Sequence, residues 1–476
     1  MRAKPVSQLP ICDPFYPVFL WREALAVVLL IAFQRLGQPA NIITALGLVV
    51  LSLRNARGAI QALALVTLLG YLNASYFPVG FNGAAKWIVL LTASSAGISH
   101  SYRATRKKAK QSTPWLVPLL LFITIAGISS VTSGADPEMA LFKLFTFGVG
   151  ALGAMYVMGS GDLNLPYIVS WFYTVWVVLV MISMPLVRFG HGYISNTGMF
   201  MGILSHSQSF AVFTVPFTLY LLIRWLIGLK LTAWQKVFVL LALYLVYLSS
   251  SRNAAFSLLL TLISIAFVYY ARGKAGIGVR ARLMPRLTAI IASIIVLNVL
   301  TSGSIGLKAN VFSRKYGEKT DILATRGDKI EYAQRTFMNH PVFGKGFGLA
   351  MDGEESFITS RDPVFGLPLS APVEAGVIYT AVPAQLGIIG TTFLLFFLYI
   401  YSLPLFMRGT APFIAIAAIC FFINFGEYVF FSTGGVGMYH WLLYALAYHT
   451  AVRYPEMIPL PNIIIKKKVE ICPLTT

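Results

Sequence analysis

Charged side chains at the ends of long apolar segments are the residues of this sequence that could do chemistry. Arg252 is the clearest case, because it lies in the very short polar stretch Ser249-Ser-Ser-Arg-Asn253 between two apolar runs. A guanidinium is always charged and can bind phosphate oxygens through two parallel hydrogen bonds. The neighbouring serines add hydroxyl donors. This pattern favours an anion site; the alternative is an arginine that anchors a helix end at a membrane surface.

Glu374 directly precedes another apolar run. A carboxylate in that place could take a proton from a substrate hydroxyl, and the alternative is a solvated charge at a helix end. Other polar side chains at segment ends are weaker candidates, since a lone histidine there is more often a hydrogen-bonded packing residue. They are Arg188, His191, His206, Gln208, Arg326, His340, Glu427 and His440. Arg335 and Lys345 are interpreted as ordinary loop charges.

The elements that must position these groups follow from composition. Of the 476 residues, 57% are apolar and only 11% are charged, whereas an ordinary globular protein has about 25% charged residues. A soluble chain of this length would lack the charges to cover its surface. Repeated apolar runs, among them 114–131, 166–186 and 387–405, approach the roughly 20 residues that cross a bilayer. The sequence therefore predicts an all-α, polytopic transmembrane helical bundle.

The membrane spans number about twelve to fourteen. Fourteen spans place both termini on one side, and with that side cytoplasmic the basic clusters fall inside, as the positive-inside rule expects. The clusters include Arg54 with Arg57, the run 103–110, and Lys466–Lys468. The predicted spans are 17–34, 39–53, 59–76, 84–101, 114–132, 138–158, 166–186, 207–227, 234–250, 253–270, 287–303, 376–403, 411–431 and 435–452.

One long polar loop interrupts this pattern, and it divides the chain into four predicted regions. These are residues 1–303 with about eleven spans, 304–375 as a large external loop, 376–452 as the C-terminal spans, and 453–476 as a cytoplasmic tail. The loop carries nine basic and nine acidic residues, so the net charge of +20 lies elsewhere. Attraction to an anionic cytoplasmic leaflet explains that charge, and no nucleic-acid partner is needed.

Part of this loop has the pattern of a helix. Thr325 can cap its start, Asp328 lies in its first turn, and Ile330, Ala333 and Phe337 share one face. Pro341 and the glycines of Gly344-Lys-Gly-Phe-Gly348 end it. The three cysteines are scattered, and the sequence has no phosphate-binding glycine loop, HExxH or Gly-x-Ser-x-Gly motif. Neither a metal site nor a cofactor is expected.

Three segments together resemble the O-antigen ligase and O-antigen polymerase (Wzy-type) superfamily. The first is Ser251-Arg-Asn-Ala-Ala255. The second runs from Arg326 through a short helix to Asn339-His-Pro-Val-Phe-Gly-Lys-Gly-Phe-Gly348. The third runs from Tyr379 to Leu386-Gly-Ile-Ile-Gly390, and a fainter match is 198–208. Their order and spacing agree with that family over about residues 185–450.

The resemblance implies a GT-C-like membrane glycosyltransferase in the plasma (inner) membrane. Such enzymes move an oligosaccharide from an undecaprenyl-diphosphate carrier to an acceptor on the outer side. In this interpretation Arg252 and Arg326 bind the diphosphate and Glu374 is the base, and these three are the predicted catalytic residues. The predicted substrate-binding residues are Arg188, His206, Gln208, Tyr379 and His340. Membrane lipid and other polysaccharide-assembly proteins, a flippase or a chain-length regulator, are the further expected partners.

The sequence departs from the family at one position. Ligases of the family carry a histidine just before the tyrosine of the third segment, but this chain reads Val373-Glu-Ala-Gly-Val-Ile-Tyr379. The departure favours a polysaccharide polymerase over a ligase. A ligase that attaches glycan to lipid or protein is the first alternative. A transporter or flippase is the second, although no internal repeat of the kind common in transporters is present.

Overall fold

The computed structural model describes most of the chain. The described residues are 13–77, 80–81, 83–107, 113–132, 136–194, 198–271, 327–349, 351–352, 360–361, 368–370 and 377–454.

Fourteen α-helices form within these residues. They are α1 Trp21–Phe33, α2 Gln38–Arg54, α3 Ala56–Leu69, α4 Ala84–Lys107, α5 Leu116–Thr132, α6 Pro137–Met158, α7 Leu165–Ser183, α8 Ser207–Leu226, α9 Ala233–Leu248, α10 Arg252–Ala271, α11 Gly327–Asn339, α12 Ile378–Arg408, α13 Ala411–Phe422 and α14 Gly437–Arg453. Short 3-10 helices span Gln34–Leu36, Pro185–Arg188, Gly190–Gly192 and Ile423–Phe425. Two short strands, β1 Ser360–Arg361 and β2 Pro368–Ser370, pair antiparallel, with Ser360 opposite Ser370.

The predicted transmembrane helical bundle is confirmed. Thirteen of the fourteen predicted spans coincide with helices, and the remaining one, 287–303, lies outside the described residues. Among the described residues, four helices are long and apolar enough to cross a membrane, and six shorter ones are apolar. The total number of spans and the side on which each end lies stay predictions. So do the four regions of the chain.

Two helices end well before the predicted end of their span. α3 ends at Leu69 instead of continuing to 76, because the Asn73 backbone N–H turns to the Ile203 carbonyl at 2.9 Å. α13 ends at Phe422, and the chain tightens into a 3-10 turn. Both differences place polar residues in turns at the ends of helices.

Several helices begin where the sequence supplies a cap. The Asp136 carboxylate accepts from Met139 N at 3.1 Å at the start of α6. Asn164 does the same for α7, accepting from Tyr167 N at 3.1 Å. Thr232 and Gln235 form a reciprocal capping box at α9. Such caps satisfy amide groups that a helix leaves without intrahelical partners.

The helices give the bundle two ends, named here by what they carry. The loop end contains α11, the segment 185–206 and the turn 423–427, and it is held by bonds such as Ser205 N to the Tyr71 carbonyl at 2.7 Å. The basic end contains the opposite helix termini. Its described cations include Arg54, Arg57, Arg103, Arg224, Lys230, Lys236, Arg408 and Arg453.

Aromatic rings fill the core between these ends. Phe147 lies 5.5 Å from Phe347 and 5.3 Å from Phe431, centroid to centroid, and Trp441 closes the group at 5.9 Å from Phe147. Phe347 belongs to the polar loop, so the loop is anchored in the bundle core. The helix predicted within that loop is confirmed as α11, and its residue Ala333 is buried against α12.

Candidate functional site

Arg252 is the first residue of α10 and lies at the loop end. Its side chain is half-buried, and its guanidinium has no ion-pair or hydrogen-bond partner among the described residues. A cation at the first turn of a helix is unfavourably placed with respect to the helix dipole, which favours anions there. Both observations fit a side chain that is kept available for an anionic ligand.

The serines beside Arg252 have structural roles. The buried Ser249 hydroxyl donates to the Val246 carbonyl at 2.6 Å, so its proton is not available to a ligand. Ser251 Oγ accepts from Ala254 N at 3.4 Å and caps α10. Ser250 has a φ of +50°, in the left-handed region that L-residues rarely adopt. Fewer serine hydroxyls are therefore free to bind a ligand than the sequence predicts. The sharp turn that the serines form fixes the position of Arg252 instead.

The next residue, Asn253, ties the start of α10 to the turn 423–427. Its amide nitrogen donates to the Ile423 carbonyl at 2.6 Å. A Cβ on Gly426 would lie 2.5 Å from the Asn253 side chain, so only glycine allows this approach. Glu427 follows on the same turn and is half-buried. The structure thus brings a carboxylate-bearing turn against the helix that begins with Arg252.

Tyr379 lies beside the same turn. It is the second residue of α12 and is 55% exposed. Its ring meets the Phe425 ring edge to face, with centroids 5.9 Å apart. Arg252 and Tyr379, which are far apart in sequence, therefore flank one turn at the loop end.

The second and third family-like segments interlock. Gly344 and Gly387 both have positive φ, +73° and +62°. A Cβ on Gly344 would lie 2.3 Å from Leu386 N, and a Cβ on Gly387 would lie 2.2 Å from the Val342 carbonyl oxygen. Gly387 also kinks α12, which frees Ile388 N to donate to the Pro341 carbonyl at 2.9 Å. These glycines allow two backbones to meet.

Gln385 is a residue of this region that sequence reasoning missed. It is fully buried and accepts hydrogen bonds from Tyr428 Oη and from Gly348 N, the latter at 3.1 Å. Its amide nitrogen donates to the Leu349 carbonyl at 2.9 Å. The signal was present, since an uncharged polar side chain in an apolar span needs partners. Gln385 joins α12, the polar loop and the turn after α13.

Three residues of α5 and α6 were missed in the same way. The Ser129 hydroxyl donates to the Phe343 carbonyl, and Ser130 Oγ accepts from Phe347 N at 3.1 Å. Lys143 Nζ donates to the Gly348 carbonyl at 2.7 Å. Each satisfies a polar backbone group that the loop buries on entering the bundle, where an unpaired one would be costly. The loop segment 340–349 is therefore a docked part of the bundle.

His340 directly follows α11 and lies near a small charged group. Lys345 Nζ lies 2.8 Å from Asp352 Oδ1, and Asn339 donates to Asp352 Oδ2 at 2.9 Å. Burial raises the pKa of the Asp352 carboxyl, but hydrogen bonds from Lys345 and Asn339 and the charges of Lys345 and His340 outweigh it, so the net pKa is lowered. Lys345, which the sequence analysis interprets as an ordinary loop charge, therefore links the docked segment 340–349 to Asp352.

The segment 185–206 forms the other part of the loop end. Arg188 is exposed and has no partner among the described residues. His206 caps α8, its Nδ1 accepting from Gln208 N at 3.2 Å, and Gln208 is half-buried in the first turn. Phe200 N donates to the Leu248 carbonyl at 3.2 Å, which joins the segment to the end of α9 just before Arg252.

Two of the three predicted catalytic residues, Arg326 and Glu374, lie outside the described residues. In sequence Arg326 directly precedes α11, and Glu374 comes three residues before Val377, where the description of α12 begins. Within the described part of the chain, no cluster of His, Cys, Asp and Glu could hold a metal ion. The described site is a surface with available arginines, a tyrosine and a nearby carboxylate, suited to binding an anionic, hydroxyl-bearing ligand.

Comparison with known proteins agrees with the motifs. Residues 237–395 match the family described as O-Antigen ligase. Over this segment the match supports the resemblance to the O-antigen ligase and O-antigen polymerase superfamily. The match begins in α9, contains Arg252, the docked loop and Tyr379, and ends in α12. The family's members are glycan-transferring, membrane glycosyltransferase-like enzymes. No curated protein matches the chain.

Proposed function

We propose that the protein is a polysaccharide polymerase of the plasma membrane. It transfers an oligosaccharide from an undecaprenyl-diphosphate carrier to a growing glycan at the outer face, where the loop end lies. The observation that supports this most is Arg252. This arginine lies within the family-matched segment, is fixed by a sharp turn, and has no partner among the described residues.

In this proposal Arg252 and Arg326 bind the diphosphate of the donor. The acceptor hydroxyl attacks the anomeric carbon of the donor sugar, and a new carbon–oxygen bond forms. The bond from that carbon to the diphosphate breaks, and the carrier diphosphate leaves with the electron pair. Glu374 takes the hydroxyl proton. Two guanidinium groups stabilise the charge that develops on the leaving group, which is the role expected of preorganised cations in such reactions.

The remaining predicted residues bind the substrate. Tyr379 offers an exposed ring and hydroxyl beside the turn 423–427. Arg188 and His206 lie in the segment 185–206, whose Phe200 bonds the end of α9, Gln208 follows in the first turn of α8, and His340 lies at the docked loop. Flippase and chain-length regulator proteins are the proposed assembly partners.

The proposal is tested by replacing Arg252 with alanine and with lysine. Removal of one phosphate-binding guanidinium should lower the transfer rate on the order of a hundredfold. Lysine should restore only part of it, because an ammonium cannot bind two oxygens in a fixed plane. Arg335→Ala is the matched control, since Arg335 is exposed and forms a surface pair with Glu331 at 3.0 Å.

The readout is glycan length on gels, with membrane expression of each variant measured in parallel. Wild-type chain lengths from Arg252→Ala at normal expression would exclude Arg252 from the reaction. Glu374→Gln is examined beside it and should abolish extension if Glu374 is the base.

A ligase is the second candidate, because the matching family is described as O-Antigen ligase. Against it stands Glu374 near the place where such ligases carry a histidine. Cells lacking the protein distinguish the two. Loss of a ligase leaves long carrier-linked chains, whereas loss of a polymerase leaves single carrier-linked repeat units.

A further inference from the structure

A groove at the basic end lies far from the candidate site and is independent of it. It has a volume of about 550 Å³ and runs between α2 and α4. Its apolar wall includes Leu53, which is 58% exposed, and Leu91 and Ala96. Its polar lining is Thr92, Ser95, Ser99, His100 and Arg103.

The polar lining residues follow one face of α4. Thr92, Ser95, Ser99 and Arg103 are spaced by three or four residues, so they stack along one side of the helix. From Thr92 to Arg103 this face covers about 16 Å of helix axis. The opposite face of α4 packs closely against α6. There Ser94 is buried, and a Cβ added to Gly153 of α6 would lie 2.5 Å from the Ser94 Cβ. The face with Thr92, Ser95, Ser99 and Arg103 therefore points away from α6.

Outward-facing polar groups are unusual in a membrane helix. Serine and threonine in a helix usually bond the carbonyl four residues earlier, as Thr67 does with Leu63 at 2.7 Å. The hydroxyls of Thr92, Ser95 and Ser99 have no partner among the described residues, and neither has the exposed guanidinium of Arg103. In contact with hydrocarbon, such donors are costly unless a ligand satisfies them.

His100 fixes the width of the groove. Its Nε2 donates to the Ser52 carbonyl of α2 at 3.2 Å, in the tautomer that carries the proton there. This bond joins α4 to α2 directly beside Arg103. On α2, the exposed Leu46, Val50 and Leu53 continue the groove as an apolar track towards the middle of the bundle.

We propose that this groove binds one anionic phospholipid. The phosphodiester lies against Arg103 at the basic end, and the acyl ester carbonyls accept hydrogen bonds from Ser99 and Ser95. The acyl chains follow Leu53, Val50 and Leu46. The arrangement of a cation at the helix end, hydroxyls one and two turns deeper, and apolar side chains beyond matches the order of groups along a phospholipid. Basic pockets between membrane helices on the cytoplasmic side commonly bind anionic head groups in this way.

The test uses the full-length protein in detergent, titrated with dioleoyl phosphatidylglycerol or dioleoyl phosphatidylcholine, with bound lipid counted by native mass spectrometry. Wild type should retain one phosphatidylglycerol in preference to phosphatidylcholine. Arg103→Gln should weaken that retention on the order of fivefold, as expected for one basic residue near a lipid head group. Ser99→Leu, which fills the groove and keeps the charge, should weaken it as well.

Arg22→Gln is the matched control, because Arg22 is also exposed and lies at the start of α1 at the same end. Equal loss of lipid in Arg22→Gln and Arg103→Gln, or equal retention of the two lipids, would overturn the proposal. Displacement of phosphatidylglycerol by equimolar glycerol phosphate would show that free phosphate is the ligand and would overturn it too. A dimer that Ser99→Leu converts to monomer would assign the groove to a second copy of the chain.

Discussion

The loop end and the basic end both carry arginines, but these arginines differ in whether their guanidinium groups have hydrogen-bond or ion-pair partners. At the basic end Arg224 is 1% exposed and pairs with Asp13, and Arg453 donates to the carbonyls of Gly159 and Ser160. At the loop end Arg188 and Arg252 have no partner among the described residues. A satisfied arginine holds helices together, whereas an available one can take a ligand.

Arg103 shows that the distinction lies in the contacts and not in the end of the bundle. It lies at the basic end, yet it has no partner among the described residues and borders an open groove. Partner status, and not position in the bundle, therefore identifies the arginines that are available to a ligand.

Replacing Arg224 with alanine should cost about 3–5 kcal/mol of stability, because it leaves the largely buried Asp13 carboxylate without its ionic partner and with only the hydrogen bond from Phe15 N. The backbone carbonyl of Phe15 and the Tyr220 hydroxyl lose a donor as well. Thermal unfolding in detergent, followed by size exclusion, measures the effect. Arg252→Ala is the comparison and should unfold like wild type. Comparable loss of stability in both variants would contradict the distinction between satisfied and available arginines.

Replacing Gly344 with alanine should undock the loop segment 340–349. The new Cβ would meet the α12 backbone at 2.3 Å, and the positive φ adds a strain of about 1–3 kcal/mol. Hydrogen exchange at the amides of Lys345 and Gly346, which donate to α12 carbonyls, should rise strongly. Gly190→Ala is the control, since a Cβ there meets nothing within 4 Å. Unchanged protection in Gly344→Ala would mean that the loop does not depend on this contact.

Helix positions could be predicted from the sequence, but the contacts between them could not. Apolar runs located the helices of thirteen predicted spans, because the length of a span follows from bilayer thickness. The bond from Asn253 to Ile423 joins residues 170 apart in sequence, and nothing local to either residue indicates it. The interlock of Gly344 with α12 is of the same kind. A glycine pattern suggests close approach but does not name the partner.

The candidate site shows the same limit at the level of side chains. Arg252 could be predicted as a candidate because a charge in a short turn between apolar runs stands out in the sequence. The serines beside Arg252 were expected to be free donors, but the Ser249 hydroxyl donates to the Val246 carbonyl. Gln385 was missed, although its polarity in an apolar run was a signal. The roles of Arg252, Arg326 and Glu374 all stay predictions, and the last two residues lie outside the described residues.

Replacing Gln385 with leucine should cost about 1–3 kcal/mol, because it leaves Gly348 N and the Leu349 carbonyl buried without their partner. Tyr428→Phe removes a single bond to the same side chain and should cost about 1 kcal/mol. Thermal unfolding of both variants gives this order. An equal cost for the two would mean that the loop amides find other partners, and that Gln385 does not hold the loop.

The smallest effect is expected at Asp352, whose pair with Lys345 is partly exposed. Asp352→Asn should cost at most about 1 kcal/mol near pH 7. Because the folded-state pKa of Asp352 is lowered from its ordinary value of 3.8, the stabilisation is complete above that value. It is lost as the pH falls through the lowered pKa. The difference in thermal stability between wild type and Asp352→Asn should therefore shrink below about pH 4.

Glu331→Gln, which removes only an exposed pair with Arg335, is the control and should differ little from wild type at any pH. A wild-type advantage over Asp352→Asn that stays constant down to pH 2 would show that the carboxylate charge does not close the loop, and that Lys345 belongs with the available cations instead of the satisfied ones.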